Sequence, residues 1–233
     1  MTEPLPVVLI PGLLASARLY APQIPELWRR GPVTVADHTR DDSMAAIARR
    51  ILASAPQRFA LVGLSMGGYI SFEIVRQAPA RVAKLALLDT AARPDVPEQS
   101  TARRAQMELA SSGRLDEVIE ANFSRYVHPA HRGDAQLRET NRQMAYDVGP
   151  QAFVRQQTAI MGRADSRPTL AGVCCPTLVL VGKEDELTPP DRAVEMARGI
   201  SGSRLVTVPE CGHLSTLERP REVTHALLEW LQG

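Results

Sequence analysis

The residues best equipped for chemistry stand together in Gly63-Leu64-Ser65-Met66-Gly67-Gly68. The apolar run Phe59–Leu64 leads into this serine, and a helical pattern from Met66 to about Arg76 leaves it. A serine on such a strand-to-helix turn sits on strained backbone with its hydroxyl exposed above the sheet. The flanking glycines let the turn close and the helix pack near the strand. The Met66 amide then points at the same spot from a helix N-terminus, where partial positive charge gathers. These are the requirements of a serine nucleophile with a stabilised oxyanion.

A serine hydroxyl needs a base, and the chain has five histidines. His213, in Glu210-Cys211-Gly212-His213, follows the last apolar run and precedes a C-terminal helix pattern, which puts it at the same sheet edge as Ser65. His38 also follows a strand at that edge and reads as a loop histidine bonded locally; His225 reads as an ordinary helix residue. His128 and His131 have metal-like spacing, but a proline lies between them and no partner Cys or carboxylate pair stands out. They read as solvated loop histidines, and no metal site is expected. A catalytic imidazole is oriented by a carboxylate. Asp185, its neighbours Glu184 and Glu186 just after the run Thr177–Val181, and Asp89 at the end of an earlier strand are the candidates, with Asp89 the serious rival.

The elements that must position these groups are legible as alternation. Val7–Ile10, Val33–Ala36, Phe59–Leu64, Lys84–Leu88, Thr177–Val181 and Leu205–Val208 are β-branched or Leu-rich runs, mostly apolar at successive positions, as in strands buried on both faces of a parallel sheet. Between them, Met44, Ile47, Ala48, Ile51 and Leu52 form a helical stripe with Ser43 placed to cap it. Ala193, Met196, Ala197 and Ile200 repeat the pattern after Pro190, and Val223, Leu227, Trp230 and Leu231 do so after Pro220. This alternation predicts a doubly wound α/β sheet. From about Ala91 to Leu170 no strand pattern appears, only helical stretches holding eleven arginines and the aromatics Phe123, Tyr126, Tyr146 and Phe153.

Composition narrows the class. With 233 residues, 44% hydrophobic, and 27 Lys+Arg against 26 Asp+Glu, the chain is an ordinary globular sequence with a net charge of +1. That balance gives no reason to expect nucleic acid or an anionic membrane as partner and fits an uncharged or weakly charged small-molecule substrate. All basic residues but Lys84 and Lys183 are arginines, a bias expected of a GC-rich bacterial genome. Cys174, Cys175 and Cys211 form no disulfide framework. Met1–Pro6 has no basic n-region, and no apolar run approaches the roughly 20 residues of a membrane span. The expected setting is cytoplasmic.

Taken together, Gly63–Gly68, Gly182-x-x-Asp185-x-x-Thr188-Pro189 and Gly212-His213, in the order Ser, Asp, His, resemble the α/β-hydrolase superfamily. Pro11-Gly12-Leu13-Leu14 resembles the loop that carries its second oxyanion donor. The resemblance implies Ser65 as nucleophile, His213 as general base and acid, Asp185 as its orienting acid, and the backbone amides of Leu13 and Met66 as the oxyanion hole, with no cofactor. It implies a catalytic core over 1–90 and 171–233 with a helical cap over 91–170. The chain departs from the family in having Pro11-Gly12 where His-Gly is common, and His38-Thr39-Arg40-Asp41-Asp42 where an Arg-Gly-His-Gly run is frequent. Only six residues precede the first strand, so a sheet of about six strands is expected, lacking the family's first two. The implied activity is hydrolysis of a carboxylic ester, lactone or thioester through an acyl-enzyme. The same triad supports C–C bond hydrolysis, acyl transfer, lyase chemistry or, without catalysis, ligand sensing.

Overall fold

The computed structural model describes residues 4–233; Met1–Glu3 of the N-terminal hexapeptide lie outside the described residues. Six strands form one sheet in the order β2-β1-β3-β4-β5-β6: β1 Val7–Ile10, β2 Val33–Val35, β3 Phe59–Leu64, β4 Val82–Leu88, β5 Thr177–Gly182 and β6 Arg204–Val208. Every neighbouring pair is parallel. The sheet is open, and β2, three residues long, is one of its edges. All six predicted runs form strands, two of them unchanged and four with one end shifted by one or two residues.

Successive strand residues serve opposite cores because their side chains alternate across the sheet. Val8, Ile10, Phe59 and Leu61 belong to one buried cluster with α2 (Met44–Ser54), α3 (Met66–Gln77) and α9 (Pro190–Gly199). Val7, Leu9, Ala60 and Val62 belong to the other, with α1 (Ile24–Trp28) and α11 (Pro220–Gln232). Helices on both faces therefore account for strands that are apolar throughout. Ser43 caps α2 as its sequence predicts, accepting from the Ala46 amide.

Between β4 and β5 the chain is helical: α4 (Pro97–Ser111), α5 (Leu115–Tyr126), α6 (Ala135–Val148), α7 (Pro150–Met161) and the short α8 (Arg167–Leu170). A third buried cluster lies here, in which Ala110, Leu115, Val118, Ile119, Ala145 and Phe153 gather around Leu14 of the loop after β1. This helical stretch is thus packed onto that loop. The one remaining helix, α10 (Ser215–Glu218), follows β6. No helix among the described residues is long and apolar enough to cross a membrane.

Candidate active site

Ser65 joins β3 to α3 at φ 55° and ψ −115°, a left-handed conformation that costs a non-glycine residue about 1–3 kcal/mol. Surrounding bonds hold it there: the Ser65 amide donates to Leu88 O at 3.0 Å, and the Gly68 amide and Thr90 hydroxyl donate to Ser65 O at 2.9 and 2.8 Å. A Cβ on Gly67 would stand 2.1 Å from Ile10 O, so only glycine lets α3 approach β1 this closely. The Ser65 side chain makes no cap bond to its own helix and lines the main cavity of the molecule. Its hydroxyl is left for a ligand.

His213 is 3% exposed and lines the same cavity. Its amide donates to Tyr126 O at 2.8 Å, which pins the loop after β6 to the end of α5. Its Nδ1 lies 2.8 Å from Asp185 Oδ2. With Nδ1–H donating to a carboxylate, the neutral ring keeps Nε2 as its acceptor, the tautomer a general base needs. Burial alone pushes the His213 pKa down. The Asp185 carboxylate, its hydrogen bond and the more distant charges of Asp89 and Glu218 outweigh that, so the pKa lies above the ordinary histidine value.

Asp185 is itself buried and heavily bonded. Its Oδ1 accepts from the Leu187 and Thr188 amides at 2.8 and 3.0 Å, and its Oδ2 accepts from the Thr188 hydroxyl at 2.6 Å. Burial raises a carboxyl pKa, but His213 and these donors together bring the net value below the usual range. The neighbouring acids do other things. Glu184 accepts from the Cys211 amide at 3.0 Å, and Glu186 pairs with Arg132 at the surface.

The rival acid, Asp89, does not touch the imidazole. Fully buried at the end of β4 with φ 43°, it accepts from the Gly182 amide at 2.8 Å and from the Ser215 hydroxyl. It ties the end of β5 to α10. Burial and then repulsion from Asp185 raise its pKa well above the carboxylate norm. Of the four acids that the residues leave open, it is Asp185 that contacts the imidazole.

The loop Gly12–Leu14 is held from two sides. His38 Nε2–H donates to Gly12 O at 2.9 Å, and the Leu14 amide, at φ 53°, donates to Gln156 Oε1 at 3.1 Å. Burial lowers the His38 pKa, which keeps the ring neutral and this single bond sufficient. Between the two anchors lies the Leu13 amide, and neither it nor the Met66 amide has a turn or loop acceptor among the described residues. His38 departs from its reading as a locally bonded histidine: its partner, Gly12 O, lies 26 residues away on the loop after β1. Gln156, fully buried on α7, belongs to no motif. No pattern in the sequence distinguishes it from neighbouring Gln157.

His131 departs from its reading as solvated. Its Nδ1 lies 2.8 Å from Glu218 Oε2, which also accepts from the His128 amide at 2.7 Å, while Glu218 Oε1 accepts from the Gly212 amide at 3.0 Å. A buried carboxylate here binds the α5–α6 connection to the residue before His213. No group of three or more His, Cys, Asp or Glu is placed to hold a metal among the described residues.

The cavity measures about 470 Å³, within the usual range for small-molecule sites. Leu13, Ser65 and His213 form its floor, and Asn122, Tyr126 and Ile160 come from the helical stretch. Around it stand a hydroxyl, an imidazole bonded to a buried carboxylate and two backbone amides without a turn or loop acceptor among the described residues.

Comparison with known proteins agrees. A family model for the alpha/beta hydrolase fold matches residues 29–220. A thermophilic esterase from Thermogutta terrifontis, solved with malate bound, is 32% identical with a TM-score of 0.90, the match covering 100% of this chain and 91% of that one. The pimeloyl-acyl-carrier-protein methyl ester esterase of Neisseria meningitidis serogroup B is 26% identical over 97% of this chain and 93% of its own length. The enol-lactonase of Burkholderia xenovorans shares the fold, with a TM-score of 0.87 at 22% identity, covering 100% of this chain and 93% of that one. The open parallel sheet, the strained serine turn and the match over residues 29–220 lead to one conclusion: this chain belongs to the alpha/beta hydrolase fold family and is an enzyme of that family.

Proposed function

We propose that this chain is a serine hydrolase that cleaves a carboxylic ester, lactone or thioester of a small molecule through an acyl-enzyme on Ser65. The observation that carries the reading is the 2.8 Å contact of His213 Nδ1 with Asp185 Oδ2, made beside a serine held at positive φ on the same cavity. Ser65 Oγ attacks the carbonyl carbon while His213 Nε2 takes its proton. The Leu13 and Met66 amides receive the oxyanion, where one donor is worth roughly 3 kcal/mol. The imidazolium, steadied by Asp185, gives its proton to the leaving oxygen or sulfur as the acyl-enzyme forms. Water, activated by the same imidazole, then releases the acid. Residues 91–170 act as a cap over this centre, and 1–90 with 171–233 form the catalytic core. The similar Thermogutta and Neisseria esterases support an ester as the bond cleaved. Three unpaired cysteines are in keeping with a cytoplasmic setting.

The test is labelling with a fluorophosphonate followed by intact mass, together with a panel of short acyl esters, thioesters and lactones. One adduct on the folded protein, absent in Ser65→Ala, is expected, with turnover of at least one substrate class. An adduct that survives Ser65→Ala would overturn the nucleophile. A clean Ser65 adduct with no turnover of any of the three classes would overturn hydrolysis in favour of acyl transfer.

A further inference from the structure

One wall of the cavity offers hydrogen-bond donors without a protein acceptor among the described residues, from the buried Asn122 to the exposed Arg125. Asn122, Arg125 and Tyr126 lie at i, i+3 and i+4 on α5, hence on one helix face, and all three line the cavity. Arg125 takes no acid or carbonyl partner among the described residues, and the Tyr126 hydroxyl likewise has no protein partner. The Tyr126 ring centroid is 5.9 Å from that of His213, and the charges of Arg103 and Arg125 both act on its phenol. The subsite is therefore adjacent to the proposed catalytic base.

Asn122 is oriented by a polar chain whose direction has only one solution. Arg103 can only donate, and its Nη1 donates to Gln157 Oε1 at 2.7 Å. Gln157 Nε2 must then donate to Gln106 Oε1, at 3.0 Å, and Gln106 Nε2 to Asn122 Oδ1, at 2.8 Å. Each amide spends its oxygen on the group before it, so Asn122 is left with its NH2 alone. That group meets no acceptor among the described residues, and Asn122 is 6% exposed. A ligand group that fills this place must accept hydrogen bonds.

Charge points the same way. Arg103 and Arg163 share a single carboxylate, Asp95, at 2.6 and 2.7 Å, and the Asp95 and Arg163 side chains are only 2% and 7% exposed. One positive charge is left over in a poorly solvated wall, where an uncompensated ion is costly. Arg93 and Arg192 of the lining are paired with Glu195 and Asp191. Glu98 is the lining acid without a basic partner, and it sits exposed in the first turn of α4, where the helix dipole favours it. The near-zero charge of the whole chain conceals this local excess.

We propose that Asn122, Arg125 and Tyr126 form a carboxylate-binding subsite, and that the molecule cleaved at Ser65 carries a second, ionised carboxylate. The second half of this statement rests on the serine-hydrolase reading; the first does not. The probes are monomethyl adipate, its neutral isostere methyl hexanoate, and the phosphonate analogue of the adipate. Calorimetric titration of Ser65→Ala is expected to show monomethyl adipate binding at least about tenfold tighter than methyl hexanoate. Arg125→Gln and Tyr126→Phe, each added to Ser65→Ala, should erase most of that ratio while methyl hexanoate binding and Tm stay unchanged. Arg104→Gln, on an exposed arginine outside the cavity, should change neither. In the wild-type enzyme the same preference should appear in KM.

Equal binding of the two esters overturns the subsite, as does a ratio that survives Arg125→Gln. A phosphonate that binds tighter than the carboxylate overturns the assignment to carboxylate. Preferential binding by Ser65→Ala, with no ester turned over by wild type, refutes the hydrolase reading and leaves the subsite standing. Turnover of methyl hexanoate without preference for the anion does the reverse.

Discussion

The carboxyl edge of the sheet and the helical stretch from α4 to α7 face one cavity but are built by different rules. At the sheet edge each group is delivered by a short local motif on the loop that leaves a strand: Ser65 after β3, Asp185 after β5, His213 after β6. Asp185 is fixed by donors two and three residues away, the Leu187 and Thr188 amides and the Thr188 hydroxyl, while Ser65 and His213 are held by backbone bonds to Leu88 and Tyr126. In the helical stretch the equivalent order comes from distant side chains. Gln156 reaches across 142 residues to the Leu14 amide, and Arg103 orients Asn122 through two glutamines. The rigid edge suits bond making, which demands sub-ångström placement. In the helical wall, Asn122, Arg125 and Tyr126 line the cavity with side chains that make no hydrogen bond to Ser65, Asp185 or His213, which suits choice of substrate.

That contrast predicts a hierarchy. Ser65→Ala should lower kcat by about a millionfold, since triad residues act as a unit; steady-state kinetics on the best ester in the panel would show it. Retention of a substantial fraction of turnover would place the chemistry elsewhere.

Next in size, Asp185→Asn should cost about 10⁴ in kcat by leaving the imidazole in the wrong tautomer. Asp89→Asn should cost less than about threefold, because an amide can still accept from Gly182 and donate to Ser215. The reverse ranking would transfer the orienting role to Asp89. The two variants also differ in stability. A carboxyl pKa raised by folding contributes stability that is complete below the unfolded value and is lost as pH rises through the folded one. Asp89→Asn should therefore gain Tm relative to wild type as pH rises, measured by calorimetry across neutral and alkaline buffers.

The pH profile probes the edge without mutation. The base must be neutral and its pKa is raised by Asp185, so the acid limb of kcat/KM should lie above the ordinary histidine value of about 6.5. A limb below it would mean that burial, not the carboxylate, dominates at His213.

In the helical wall a smaller effect than those of Ser65→Ala and Asp185→Asn is expected. Gln156→Leu should lower kcat about tenfold with KM little changed, because it frees the Leu14 amide and loosens the neighbouring Leu13 donor. This is less than the loss of a direct oxyanion donor. It should also destabilise by roughly 1–3 kcal/mol through a buried, unsatisfied N–H. A change confined to KM would show that Gln156 belongs with the specificity wall and not with the oxyanion loop.

Much of the fold was legible because parallel strands covered on both faces are apolar at every position. Val7–Ile10 and Phe59–Leu64 were therefore visible as runs. Ser65 and His213 stood out because glycines beside them mark tight turns and close approach, as the space at Gly67 bears out. Asp89 and Asp185 could not be ranked from the residues alone, since both follow strands at the same edge. Only the loop geometry after β5 decides which carboxylate meets the imidazole. His131 was misread because its partner, Glu218, lies 87 residues away and leaves no local trace.

Sequence by itself determined the alternation of strands and helices, the nucleophile turn and the chain order of its partners. These are written in local spacing, where periodicity and glycine placement act over a few residues. The tertiary structure alone decided which acid contacts His213, that Gln156 and His38 hold the loop after β1, and that α5 lays Asn122, Arg125 and Tyr126 along the cavity. Those outcomes depend on side chains that meet across tens to more than a hundred residues, and hydrogen-bond direction is set by the whole chain of partners.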